Sequence, residues 1–210
     1  MAAPRNILIT GASGGLGGAV VAAFSGDHVL AVSHPNYDLT RPEEATRAVS
    51  AAAEPLHALI HLVGGFAGGA SVAETDDATW RRMMQLNLDA AFYMARAAVA
   101  GLVEQPGGRV VFVGSRNAVI PAANLAAYSA SKAGLVALAR TLALEIAPRG
   151  ATCNVVLPSV IDTPGNRVAM PRADFSRWVQ PASIASLIHW LASPDAAQVN
   201  GAVIPIYGQS

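Results

Sequence analysis

In the stretch AAYSASKAGLVAL a phenol, Tyr128, stands four residues before an ammonium, Lys132, among alanines, leucines and other small residues. Residues four apart share one face of a helix. A helix that only packs gains little from such a pair. A free phenol has a pKa of about 10 and carries protons poorly at neutral pH. A cation one turn away favours the phenolate and is expected to lower that value. The pair therefore reads as an acid/base group, the bland alternative being a surface pair on an amphipathic helix.

A second candidate is the loop ITGASGGLGGAV, in which Thr10-Gly11-x-x-x-Gly15-x-Gly17 follows an apolar strand and opens a helix. Small residues there let the backbone approach a pyrophosphate, which free N–H groups at the helix start attract. A tight strand-helix turn has the same composition. Gly11-Ala12-Ser13-Gly14-Gly15 also spells the G-x-S-x-G elbow of hydrolases, with Asp162 and His189 following in the right chain order. That reading is set aside, because the elbow would fall on the first strand, before any central sheet exists to display it.

Composition narrows the classes. Of 210 residues, 52% are hydrophobic and 13% charged, enough for a large core. Fourteen basic and fourteen acidic residues cancel without a basic cluster, which argues against nucleic acid or an anionic membrane as partner. Gly, Pro, Arg or Asp interrupts every apolar run before the roughly 18 to 20 residues that span a bilayer. The N-terminal stretch MAAPRNILIT has no apolar core before a cleavage site, so no signal peptide is expected. Cys153 is the sole cysteine and sits in an apolar run, as a buried small hydrophobe would; a reducing, cytoplasmic setting is expected.

Strand-like and helix-like segments alternate along the chain. RNILIT, HVLAV, a short NYDLT, HALIHLV, GGRVVFVGS, ATCNVVLP and GAVIPIYG read as about seven strands. Near-continuous apolar strands with intervening helices imply a Rossmann-type α/β fold, a doubly wound parallel sheet covered on both faces, in one domain over 1–210. Only SHPN separates the second strand from the third, whereas a parallel crossover needs about a dozen residues, so the helix expected there is missing. His57 and His61 lie about 13 Å apart along a strand, too far to share a metal, and no metal site is expected.

With Tyr128-Ser129-Ala130-Ser131-Lys132 added to the glycine loop, the chain resembles the classical short-chain dehydrogenases/reductases over nearly its whole length. Thr10 to Gly17 matches the family's T-G-x-x-x-G-x-G. Asp38-Leu39 matches the acidic-aliphatic pair beside the adenine, and CNVVLPSVIDTP the segment beside the nicotinamide. The resemblance implies that Asn87, Ser115, Tyr128 and Lys132 are catalytic. Ser115 would hold the substrate oxygen at the phenol, Lys132 would also grip the nicotinamide ribose, and Asn87 would hold a water that relays protons to Lys132. His61-Leu62-Val63-Gly64 stands where N-N-A-G is usual, and Ser159 replaces a Gly. The stretches HLVGGFAGG and DTPGNRVAMPRADFSRW that contain or follow these departures look like those of the dihydropteridine reductase branch, whose members typically lack the Ser and Asn present here.

The implied cofactor is NAD(P), touching Gly11, Ser13, Gly14, Gly15, Leu16, Gly17, Ser33, His34, Asp38, Leu39, Val63, Gly64, Gly65, Pro158, Ser159, Ile161 and Thr163 together with Tyr128 and Lys132. Ser33-His34 stands where NAD-type members carry an acid that repels a 2′-phosphate; its absence favours NADP over NAD. Residues 164–180 read as a substrate lid, and Phe66, Met170 and Trp178 as substrate contacts. The expected activity is hydride transfer with a small carbonyl or alcohol, a quinonoid pterin being the alternative substrate and a non-catalytic redox sensor the alternative class. The alanine-rich helix faces imply a homodimer or homotetramer.

Overall fold

The computed structural model describes residues 3–104 and 107–209. Strands β1 (Asn6–Thr10), β2 (His28–Val32), β3 (Leu56–His61), β4 (Arg109–Val113), β5 (Thr152–Pro158) and β6 (Val203–Ile206) form one sheet in the order β2-β1-β3-β4-β5-β6. Every pairing is parallel. Helices are α1 (Gly17–Ala23), α2 (Pro42–Ser50), α3 (Asp77–Met84), α4 (Ala90–Val103), α5 (Ala126–Ile146), α6 (Pro164–Ala169) and α7 (Pro181–Leu191).

The apolar alternation assigns the two faces. Leu8, Leu59, Phe112 and Val155 point toward α2, α4 and α5, while Ile7, Ile9, Ile60 and Val111 point toward α1 and α7. Each fully buried Leu or Ile contributes about 1.5–3 kcal/mol. β4 and β5 are buried at every position, as strands covered on both sides must be. Cys153 is buried in β5, and burial pushes its thiol pKa up, so it acts as a small hydrophobe. The helical run Asp77–Val103 is apolar and long enough by composition to cross a membrane; here its α4 part packs on β3 and α2.

One expectation changes. Among the described residues the sheet has six strands, because NYDLT is a turn. The Asp38 carboxylate accepts from Thr40 N at 3.2 Å and Thr40 Oγ1 at 2.6 Å, and Arg41 N donates back to Asp38 O, leading the chain straight into α2. Thus a whole strand-helix unit is absent, and β2 forms the sheet edge. The helical run Asp77–Val103 widens into a π-turn at Gln85–Asp89, between α3 and α4. Such turns concentrate at functional sites.

The chain leaves β1 toward β2 on one side and returns to β3 on the other. That reversal creates a crevice at the strands' C-terminal ends, where α/β sheets bind ligands.

Candidate active site

Tyr128 lies in the first turn of α5 and Lys132 one turn later. Ser115 follows the end of β4 and caps a short 3-10 turn, its Oγ accepting from Asn117 N at 3.2 Å. The Ser115 hydroxyl stands near enough to the Tyr128 phenol to act on its ionisation. Burial raises the phenol pKa above its ordinary value, and the Ser115 hydroxyl pulls it back in part. Lys132 is buried and donates from Nζ to Val113 O at 3.0 Å. Burial lowers its pKa to about 8. In the chain alone the expected lowering of Tyr128 by its neighbour is therefore reversed: the ammonium is turned to a strand carbonyl, and desolvation governs the phenol.

Asn87 sits fully buried in the π-turn. Its Oδ1 accepts from Gly65 N at 2.9 Å, and its Nδ2 donates to Gly65 O at 3.1 Å and to Ser131 Oγ at 3.0 Å. Ser131 in turn donates to Tyr128 O at 2.8 Å. A Cβ on Gly64 would come 2.8 Å from Asn87 Oδ1 and 3.0 Å from Lys132 Nζ, so only glycine lets the backbone pass between them. Ser131 was not a sequence candidate. The available signal was its place three residues after Tyr128, on the same helix face.

The expected cofactor residues gather along the crevice from two sides. Gly11 N donates to Val32 O at 2.9 Å, and Ser13 N donates to Ser33 Oγ at 2.9 Å, joining the glycine loop to the end of β2. Ser13, Gly14 and Gly15 are exposed, whereas Leu16 and Gly17 are buried where α1 begins. Thr163 caps α6 by accepting from Asn166 N and stands against the loop; a Cβ on Gly15 would meet its Cγ2 at 2.8 Å. His34 is exposed, Asp38 is half-buried in its turn, and Leu39 lies in the core. Val63 packs partly on the core, Gly65 holds Asn87, and Pro158 ends β5 in a buried position.

The two departures from the family pattern have local causes. His61 Nδ1 lies 2.8 Å from Thr10 Oγ1, and burial, aided by the Lys132 charge, lowers the imidazole pKa to about 3. Ser159 donates to Tyr207 O at 2.6 Å, fastening the end of β5 to the C-terminal strand's exit. His57 instead accepts from Asn6 N at 3.0 Å, so the two histidines serve different strand contacts.

Phe66 is 62% exposed, and its ring stands edge-on to Tyr128 with centroids 5.0 Å apart. The segment 161–179 is closed at its base by a parallel bridge between Ile161 and Val179. Within it, Arg167 pairs with Asp162 at 2.6 Å and lies over the Phe175 ring. Met170 is partly exposed, while Trp178 is buried against Phe175 at the base of the segment. The hydrolase residues do not meet: Asp162 is held by Arg167 and Gln180, and His189 packs edge-on to Phe24.

The family model described as enoyl-(acyl carrier protein) reductase matches residues 18–208. The 3-oxoacyl-(acyl-carrier-protein) reductase MabA of Mycobacterium tuberculosis is 31% identical, over 97% of this chain and 92% of its own length. The cyclic-di-GMP-binding biofilm dispersal mediator protein of Escherichia coli is 32% identical, over 97% and 96%. A crystal structure of an oxidoreductase of the short chain dehydrogenase/reductase family from Burkholderia thailandensis superposes with a TM-score of 0.88 at 31% identity, covering 99% of this chain and 92% of the other. From glycine loop to Tyr128 and Lys132, the chain belongs to the short-chain dehydrogenase/reductase family, as an NAD(P)-dependent enzyme.

Proposed function

We propose that this protein transfers a hydride between NAD(P)H and a small carbonyl or alcohol substrate, with Tyr128 as general acid/base. The observation that carries the reading is the Ser115–Tyr128 hydroxyl pair at the mouth of the crevice, with Lys132 buried behind it.

The residues present fit a dinucleotide. The glycine loop is open at Ser13 to Gly15, and the site's walls come so close to the backbone at Gly15 and Gly64 that neither place admits a Cβ. Gly11 to Gly17 would hold the pyrophosphate, Ser33 and His34 the adenosine ribose, and Val63, Gly64, Pro158, Ser159, Ile161 and Thr163 the nicotinamide side. Neither Ser33 nor His34 is an acid, which favours NADP. The nicotinamide supplies the hydride when bound.

The protein's own part is proton handling. Ser115 holds the substrate oxygen against the phenol, and Tyr128 donates its proton to that oxygen as reduction proceeds. A phenol whose pKa is raised by burial stays protonated and ready to donate at neutral pH. Lys132, its pKa lowered by burial to about 8, would grip the nicotinamide ribose and keeps an exchangeable proton on the Tyr128 side of the site. Segment 164–180 acts as the lid, with Phe66 and Met170 as apolar walls and Trp178 as its anchor. Residues 1–210 work as one catalytic domain. Two copies pair through α4 and α5, whose Phe92 and Leu144 are exposed apolar side chains.

The name of the Mycobacterium relative makes a β-ketoacyl thioester the first substrate to try. The name of the Escherichia relative favours a second reading, a nucleotide-binding protein without turnover. Fluorescence titration with NADPH and NADH, followed by steady-state assay of Tyr128→Phe, separates them. The enzyme reading expects NADPH to bind both proteins while turnover drops by about 10²- to 10⁴-fold in the variant. Unchanged turnover, or binding without turnover across a panel of ketones and ketoacyl thioesters, would sink it.

A further inference from the structure

Ser131 lies in the interval between Tyr128 and Lys132, where any small residue would satisfy helix packing. It is fully buried, and its hydroxyl is engaged on both sides. Oγ accepts from Asn87 Nδ2 at 3.0 Å and donates to Tyr128 O at 2.8 Å. Asn87, through the same amide, grips both backbone groups of Gly65. The hydroxyl thus joins α5 to the π-turn at Gln85–Asp89, and Asn87 carries the link on to the loop after β3. No carbon side chain can replace it, because the position needs a donor and an acceptor together.

We infer that Ser131 is a positioning residue, which fixes Asn87 and the Gly64-Gly65 backbone in register with the Tyr128 turn. The consequence is directional. With the hydroxyl gone, Asn87 Nδ2 keeps the Gly65 carbonyl and a weak contact to Met83 Sδ at 3.8 Å, and the amide loses its tie to α5. Gly64 lies against both Asn87 Oδ1 and Lys132 Nζ, so rotation disturbs the space behind the phenol without touching the glycine loop. The defect should therefore appear mainly in the chemical step, with dinucleotide affinity changed little because the glycine loop is untouched.

The expectation about turnover rests on the oxidoreductase reading above; the expectation about Asn87 does not. Ser131→Ala and Ser131→Cys are compared with wild type by amide hydrogen exchange at Gly65, NADPH titration, and steady-state rates over a pH series. Cys preserves the volume but bonds weakly. Both variants should exchange the Gly65 amide at least about tenfold faster, a loss comparable to one hydrogen bond. NADPH affinity should stay within about twofold, and kcat should fall about tenfold at unchanged KM, with the kcat pH profile displaced. Unchanged exchange at Gly65 in the Ala variant overturns the proposal whatever the rates. So does a Cys variant that behaves as wild type, since volume alone would then suffice. A wild-type protein without turnover would count against the enzyme reading only, leaving Gly65 exchange to decide the role of Ser131.

Discussion

Thr10 Oγ1 and His61 Nδ1 lie 2.8 Å apart at the C-terminal ends of adjacent strands, directly beneath the glycine loop. The other ring nitrogen, Nε2, is buried without a hydrogen-bond partner, and Phe112 meets the ring edge-on. This histidine is built to stay neutral.

Acid stability should record that neutrality. The folded imidazole titrates at about 3, the unfolded one near 6.5. Between those values the unfolded chain binds the additional proton, so stability is full above pH 6.5 and falls as pH drops through the window, by about 1.4 kcal/mol per pH unit. Denaturant titrations of wild type and His61→Asn at about pH 7.5 and about pH 4.5 check this, with wild type losing about 2–3 kcal/mol more than the variant. Equal losses would mean that the site accepts a charged ring.

Ser115 should govern the pH profile as well as the rate. Its hydroxyl lowers the Tyr128 pKa against burial. Ser115→Ala removes that hydroxyl and sends the phenol higher. In the alcohol-oxidising direction, where the phenolate is the base, the rising limb of kcat should move to higher pH and kcat should fall by about 10²-fold or more. A limb that stays in place would assign it to another group, Lys132 first.

Gly64→Ala is expected to disable the site from the opposite wall. Gly64 has an ordinary backbone conformation, so the effect is crowding, with the new methyl 2.8 Å from Asn87 Oδ1 and 3.0 Å from Lys132 Nζ. Turnover should fall by about 10²-fold, the usual result of displacing catalytic groups by about an ångström. Thermal denaturation should show a smaller loss, about 1–3 kcal/mol, as for other overpacked positions.

The ion pair within segment 161–179 can be tested by cleavage. Arg167 and Gln180 both bond the Asp162 carboxylate and lower its pKa to about 2, so the contact persists well into acid. Asp162→Asn should leave the fold intact but let 164–177 open, raising the rate of trypsin cut after Arg167 and Arg172 several-fold. No change in cutting would mean that the Ile161–Val179 bridge alone closes the segment.

Much of this architecture is legible in the residues. The strand-helix alternation, the glycine loop and the Tyr128–Lys132 interval are local patterns, and local patterns survive folding. Failures came where the deciding contact is distant or competitive. NYDLT has strand-like residues, but the Asp38 side chain captures the following Thr40 backbone and makes a turn. The π-turn at Asn87 is invisible to a 3.6-residue period, because it is held by Gly65 and Ser131 from other elements. The direction of the Tyr128 pKa depended on where the Lys132 amine points, which spacing along a helix does not specify. Trp178 reads as a substrate contact, yet it is buried at the base of segment 161–179.

Because the sheet stops at β2, that strand has a neighbour on one side only. Like β6 at the other edge it has no outer partner strand among the described residues, and it carries two exposed side chains, while β4 and β5 have strands on both flanks and are buried at every position. Disassembly therefore has a built-in order. The molecule should come apart like a book losing its pages from one cover, β2 first and the β4–β5 spine last, so the dinucleotide loop, hung on β1 and the end of β2, rides on the least secure page.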